Sequence, residues 1–150
     1  MSSKDRSQPR AAENTMKLSH ASSYALHSVA HLAAQKPGTT IASHTIAKAR
    51  NIKPRFLLKV LKPLVSHRIL ASVKGPSGGY RLARPASEIT VLEIIEAAEN
   101  NRIRGTVGFN DAKNAALSHR IENVCKQAAT RLREYLGGIK VSDLVGRKVS

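Results

Sequence analysis

Residues 73–82 read VKGPSGGYRL, three glycines and a proline between two short apolar runs, with Lys74 and Arg81 as flanking cations. Such a segment can form a phosphate-cradling loop, a flexible linker or the tip of a β-hairpin. A phosphate loop needs its glycines to open a helix after a buried strand, with the spacing GxxxxGK[ST]. That spacing is absent, and Gly79-Tyr80-Arg81-Leu82 continues as a second strand-like run. Arg68 to Val73 supplies the first, so the segment reads as a hairpin closed by a glycine-rich turn.

Helical periodicity precedes the hairpin. Leu18, Ala21, Ala25, Val29 and Leu32 recur at steps of three and four, with Ser19 or Ser22 as N-cap and Pro37-Gly38 as the stop. A short helical pattern then starts at Ser43 and passes through Ile46 and Ala47 to Asn51, a residue that tolerates the left-handed conformation of a tight break. Pro54 suits the first position of the next helix, which carries Phe56, Leu57, Val60, Leu61 and Leu64. Two helices about three residues apart, then a glycine-tipped hairpin, describe a winged helix-turn-helix.

Beyond the hairpin, Thr90 and Glu93 have capping-box spacing ahead of Val91, Leu92, Ile94 and Ile95. A polar loop follows, and then Leu117, Ile121, Val124, Ala128, Leu132 and Tyr135 form an apolar stripe on a helix of about 25 residues, ended by Gly137-Gly138. A helix so long in so small a domain calls for a partner, and pairing across a dimer axis supplies one. The fold class is therefore mainly α with a small β-hairpin wing, plus a long C-terminal dimerisation helix. Its expected parts are a disordered extension (1–15), a winged-helix DNA-binding domain (16–100), a sensor-region loop (101–116), the dimerisation helix (117–138) and a C-terminal segment (139–150).

Composition sets the partner. The 150 residues include 25 Lys and Arg against 10 Asp and Glu, a formal charge of +15 with pI near 10.7, which favours nucleic acid or an anionic surface as partner; with the winged helix-turn-helix, double-stranded DNA is expected. No apolar run approaches the roughly 20 residues of a spanning helix, and residues 1–15 lack the apolar centre of a signal peptide. A cytoplasmic protein without membrane contact is expected. One cysteine, Cys125, allows no internal disulfide. The recognition segment NIKPRFLLKVLK carries Lys53, Arg55, Lys59 and Lys62, whose N-terminal members can reach base edges while the later ones meet phosphates. Lys17 and the wing cations Lys74 and Arg81 complete the basic set. Paired carboxylates, a nucleophile elbow and a metal-binding cysteine-histidine set are all missing, so no enzyme is expected.

The stretch from Met16 to about Val145 resembles the Rrf-type winged-helix transcription regulators, a group that includes IscR, NsrR and CymR. MKLSHASSYALHSVAHLA and the wing pattern G-P-x-G-G-Y-x-L carry the likeness. The resemblance implies a homodimer on a pseudo-palindromic operator. It also implies phosphate contacts from Ser22, Ser23 and Tyr24, base contacts from Pro54 to Lys59, and minor-groove contacts from Ser77, Gly78 and Gly79. Leu58-Lys59 stand where some members carry Glu-Gln, a departure that bears on operator sequence. Cluster-binding members place three cysteines after the short helix, whereas NRIRGTVGFNDAKNAALSHRIE has none, so no cluster, metal or other cofactor is expected.

Two further groups carry alternatives. Cys125 is either a small buried hydrophobe or a one-thiol sensor activated by His119, Arg120 and Lys126. His20, Tyr24, His27 and His31 share one helix face, as a solvated stripe or as a sensor; the resemblance sets His27 near a first-helix cluster ligand of some relatives. A protein or small-molecule co-regulator is a candidate partner. The alternative function is a protein-interaction adaptor that regulates by binding an enzyme or other partner.

Overall fold

The computed structural model describes residues 17–146. The expected extension 1–15, the start at Met16 and residues 147–150 lie outside the described residues. Helix α1 (His20–Ala33) is capped by Ser19, whose side chain accepts from the Ser22 N–H. Helices α2 (Ser43–Arg50) and α3 (Pro54–Ser66) are separated by a break at Asn51, which takes φ 53° and ψ 46°. Strands β1 (Leu70–Val73) and β2 (Gly79–Leu82) pair antiparallel, with Leu70 opposite Leu82 and Ser72 opposite Tyr80. The capping box at Thr90 and Glu93 starts α4 (Val91–Glu99). Helix α5 (Ala115–Gly137) opens two residues before Leu117, where the Asn114 side chain accepts from the Leu117 N–H. A one-turn helix, α6 (Val141–Leu144), follows.

One core joins the helix-turn-helix to α1 and α4. Val29, Ile46, Leu57, Leu61, Leu64 and Ile94 are fully buried within it. Val141 and Val145 of the C-terminal segment pack into this core. Val141 is fully buried, its N–H donates to the Ile89 carbonyl, and the Val91 N–H donates to the Ile139 carbonyl. A second cluster, Val91, Ile95 and Leu136 with Leu92, Ile103 and Leu132 around it, holds the C-terminal half of α5 on α4. An Arg133–Glu96 ion pair lies beside it. Leu132, expected wholly in a dimer interface, is thus half-buried against its own protomer.

Arg84 ties the wing to this frame. Its guanidinium donates to the carbonyls of Arg68 (3.1 Å) and Glu88 (3.0 Å) and to Glu93 Oε1 (3.0 Å). Three donors in one rigid plane fix the hairpin base against α4.

Candidate nucleic-acid interface

The turn of the helix-turn-helix is built by backbone chemistry. Asn51 in the left-handed region lets the chain reverse, and the Ile52 N–H closes onto the Ala47 carbonyl at 2.9 Å. Pro54 then starts α3 at a position where its missing N–H costs nothing. Helical spacing sends Leu57, Val60, Leu61 and Leu64 inward, and the opposite face presents Arg55, Lys59 and Lys62, all exposed. Lys53 sits at the N-cap with its ammonium 5.9 Å from the Phe56 ring centroid. None of the ion pairs among the described residues involves these cations. At the start of α3 the positive end of the helix dipole adds to the field of Lys53 and Arg55. Phe56 and Leu58, about half exposed, put apolar contacts on the same helix, of the kind that read thymine methyl groups.

The wing supplies a second basic edge. Lys74 and Ser77 are exposed at the turn, and Arg81 is exposed on β2 opposite Ala71. Gly78 and Gly79 are half-buried, and their first role is steric. Gly79 has φ 152°, and a Cβ there would overlap the Ile41 carbonyl oxygen. The reason is a backbone bridge: the Tyr80 N–H donates to the Ile41 carbonyl at 2.8 Å, and the Ile41 N–H returns the bond at 2.9 Å. Only glycine lets the two backbones come so close.

At the start of α1 the structure corrects one expectation. Lys17 is exposed, and Ser23 and Tyr24 are half-buried, but Ser22 is 1% exposed. Its hydroxyl donates to Glu99 Oε1 at 2.6 Å, and Ser19 donates to the same oxygen. These two hydroxyls hold the Glu99 carboxyl below its ordinary range. Ser22 therefore joins α1 to α4, and its side chain is not available to a phosphate. The Tyr24 hydroxyl lies 3.5 Å from His20 Nδ1, and the rings meet edge to face.

Charge partition is the signal that sequence reading by motif missed. Residues 14–87 contain no Asp or Glu and twelve Lys or Arg, from Lys17 to Arg84. Residues 88–146 contain eight acids, from Glu88 to Asp143, and eight Lys or Arg, from Arg102 to Lys140. The net positive charge of the described residues thus comes wholly from the part that folds into α1, the helix-turn-helix and the wing. A simple count of acids along the chain would have found it.

Helix α5 carries two apolar stripes. At 100° per residue, Ala129 and Leu136 face the protomer, while Leu117, Ile121, Val124, Ala128 and Tyr135 lie together about 90° away. All five are exposed, Val124 by 67% and Tyr135 by 69%. Cys125 is half-buried between the stripes, and the loop before α5 crosses its backbone at Gly105, where a Cβ would overlap the Cys125 carbonyl. His27 is exposed on α1. His31 is held below its ordinary pKa, first by burial and then by Arg50. No three His, Cys, Asp or Glu side chains converge on a metal-sized site among the described residues. No helix there is long and apolar enough to cross a membrane.

Comparison with known proteins gives a concordant result. The profile of a family described as Rrf2, iron-dependent transcriptional regulator, matches residues 18–147. The HTH-type transcriptional regulator IscR of Cereibacter sphaeroides is 30% identical over 135 residues, 87% of each chain. BadM of Rhodopseudomonas palustris is 32% identical over 137 residues, 89% of this chain and 87% of its own. Among solved structures, CymR, the global cysteine regulator of B. subtilis, superposes with a TM-score of 0.70 at 24% identity, over 87% of this chain and 97% of that one. At that identity the likeness speaks for the fold alone.

Proposed function

The chain belongs to the Rrf2 family of DNA-binding transcriptional regulators, and from that premise we propose that it acts as a homodimeric repressor on a pseudo-palindromic operator, without an iron-sulfur cluster. The observation that carries the DNA contact is the acid-free stretch 14–87. Helix α3 enters the major groove, with Arg55 and Lys59 toward base edges and Lys62 toward the backbone. Lys74, Ser77 and Arg81 lie along the neighbouring backbone or minor groove. Ser23, Tyr24 and Lys17 at the start of α1 meet phosphates. The exposed stripe of α5 joins two copies, spanning about 27 Å from Leu117 to Tyr135 at 1.5 Å per residue.

The donor set does not fit the cluster that the family description suggests. Iron-sulfur clusters are held by thiolates, commonly four, and this chain has one cysteine. Cys125 lies between the stripes of α5 with Gly105 packed on its backbone, and the loop 101–111 offers no sulfur. No step of regulation is therefore routed through a cluster. The experiment is duplex binding against salt. If a dimer neutralises about 6–10 phosphates, affinity falls roughly 10³- to 10⁵-fold between 50 and 200 mM salt. A flat dependence removes the proposal.

A further inference from the structure

A cleft of about 580 Å³ opens between the C-terminal turn of α1, the base of the wing and α6. We propose that it is an effector site for a small amphipathic organic anion, a carboxylate on an apolar chain, held by Lys36 and Arg81. Its size lies within the range of small-molecule sites, roughly 300–1,000 Å³. The floor is apolar, formed by Leu82 with Pro37, Ala83, Pro85 and Ala86, over the nearly buried Leu32 and Ala33. No acidic residue lines it, and neither Lys36 nor Arg81 has an ion-pair partner among the described residues. Arg84 also lines the cleft, but its charge is answered by Glu93 and each of its three nitrogens already donates one bond at the hairpin base.

Two free cations over an apolar floor select both ends of the ligand. A neutral apolar molecule leaves the charges unanswered, and a bare inorganic anion leaves the floor wet. Hydrogen bonds hold two of the walls. Thr39 closes the Lys36–Thr39 turn through its N–H and hydroxyl, both to the Lys36 carbonyl, and the Ala83 N–H donates to the Ile69 carbonyl at 3.0 Å.

The link to DNA rests on the function proposed above. Arg81 belongs to both the cleft and the wing edge, so a carboxylate bound to it withdraws one cation from the duplex and adds a negative charge beside the wing. Ligand binding lowers DNA affinity, and by reciprocity DNA lowers ligand affinity by the same factor.

The test uses the full chain, free of DNA, in calorimetric titrations with octanoate, octanol and inorganic phosphate. Octanoate should bind once per chain at about 0.1–1 mM. Octanol should bind at least about 10-fold more weakly, and Lys36→Ala and Arg81→Ala should each weaken octanoate by about 10-fold or more. Amide shifts should centre on Ala33, Ala83 and Ser142. The site is overturned if octanol binds as well as octanoate, if neither alanine variant weakens binding, if shifts centre on the α5 stripe, or if no binding is seen. Displacement of octanoate by an equal concentration of phosphate also overturns it, making the cleft a seat for a backbone phosphate. In a separate arm, saturating octanoate should weaken duplex binding about 3-fold or more in the parent and leave Arg81→Ala unchanged; an unchanged parent refutes the coupling. Failure of the protein to bind any duplex strikes the proposed function and leaves the calorimetric result standing.

Discussion

Val124→Asp separates dimerisation from folding. In the protomer Val124 is 67% exposed and outside both apolar clusters, so a carboxylate there leaves the monomer's stability nearly unchanged. In a dimer joined through the α5 stripe the same position is covered twice. Covering two thirds of a valine is worth about 1–2 kcal/mol. Desolvating a carboxylate without a partner costs at least about 1–2 kcal/mol more. Counting both copies, the dimer loses about 4–8 kcal/mol, a rise in its dissociation constant of roughly 10³-fold or more. Sedimentation equilibrium across a concentration series reads the association, and thermal unfolding checks the fold. Leu132→Asp is the contrasting variant: Leu132 packs on the Val91, Ile95 and Leu136 cluster, so that change should depress the melting temperature as well. A Val124→Asp protein that stays dimeric at the parent's concentrations places the interface elsewhere.

The other predictions follow from the same geometry. Arg55→Ala should relax base preference at one position per half-site by about 1–3 kcal/mol, whereas Lys74→Ala should weaken all duplexes alike; equal losses on every sequence in both would move Arg55 to the backbone class. Gly79→Ala should deform the wing, because its Cβ overlaps the Ile41 carbonyl, and should lower both melting temperature and duplex affinity; unchanged values would contradict the close approach. Glu99, held below its ordinary value of 4.5 first by Ser19 and then by Ser22, contributes stability that is present above that value and lost as pH falls through its lower folded pKa. Urea unfolding should therefore find Glu99→Gln less stable than the parent at neutral pH and equal to it in acid, and a pH-independent difference would remove the ionic contribution.

What the sequence determined by itself is everything set by near neighbours. Asn51 and Pro54 announce the helix-turn-helix because a left-handed break and a donor-free first turn are demands on single residues. Thr90 and Glu93 announce α4 because their bonds close within one turn. The wing was legible for the same reason, and the charge partition, though overlooked, was there to be counted. Tertiary structure decided the rest. Ser22 shares a helix face with Ala25 and Val29, but only the tertiary structure supplies Glu99, 77 positions away, as the acceptor of its hydroxyl. Leu132 and Val124 share a helical stripe, yet α4 half-covers one and leaves the other open, since periodicity specifies a face and says nothing of what meets it. Segment 139–146 lacks a strong pattern and still enters the core, because besides the local bonds of α6 it exchanges backbone bonds with Ile89 and Val91, some 50 positions back. The cleft joining Lys36 to Arg81 depends on α1, the wing and α6 meeting, a juxtaposition of residues up to 110 positions apart that no local propensity encodes.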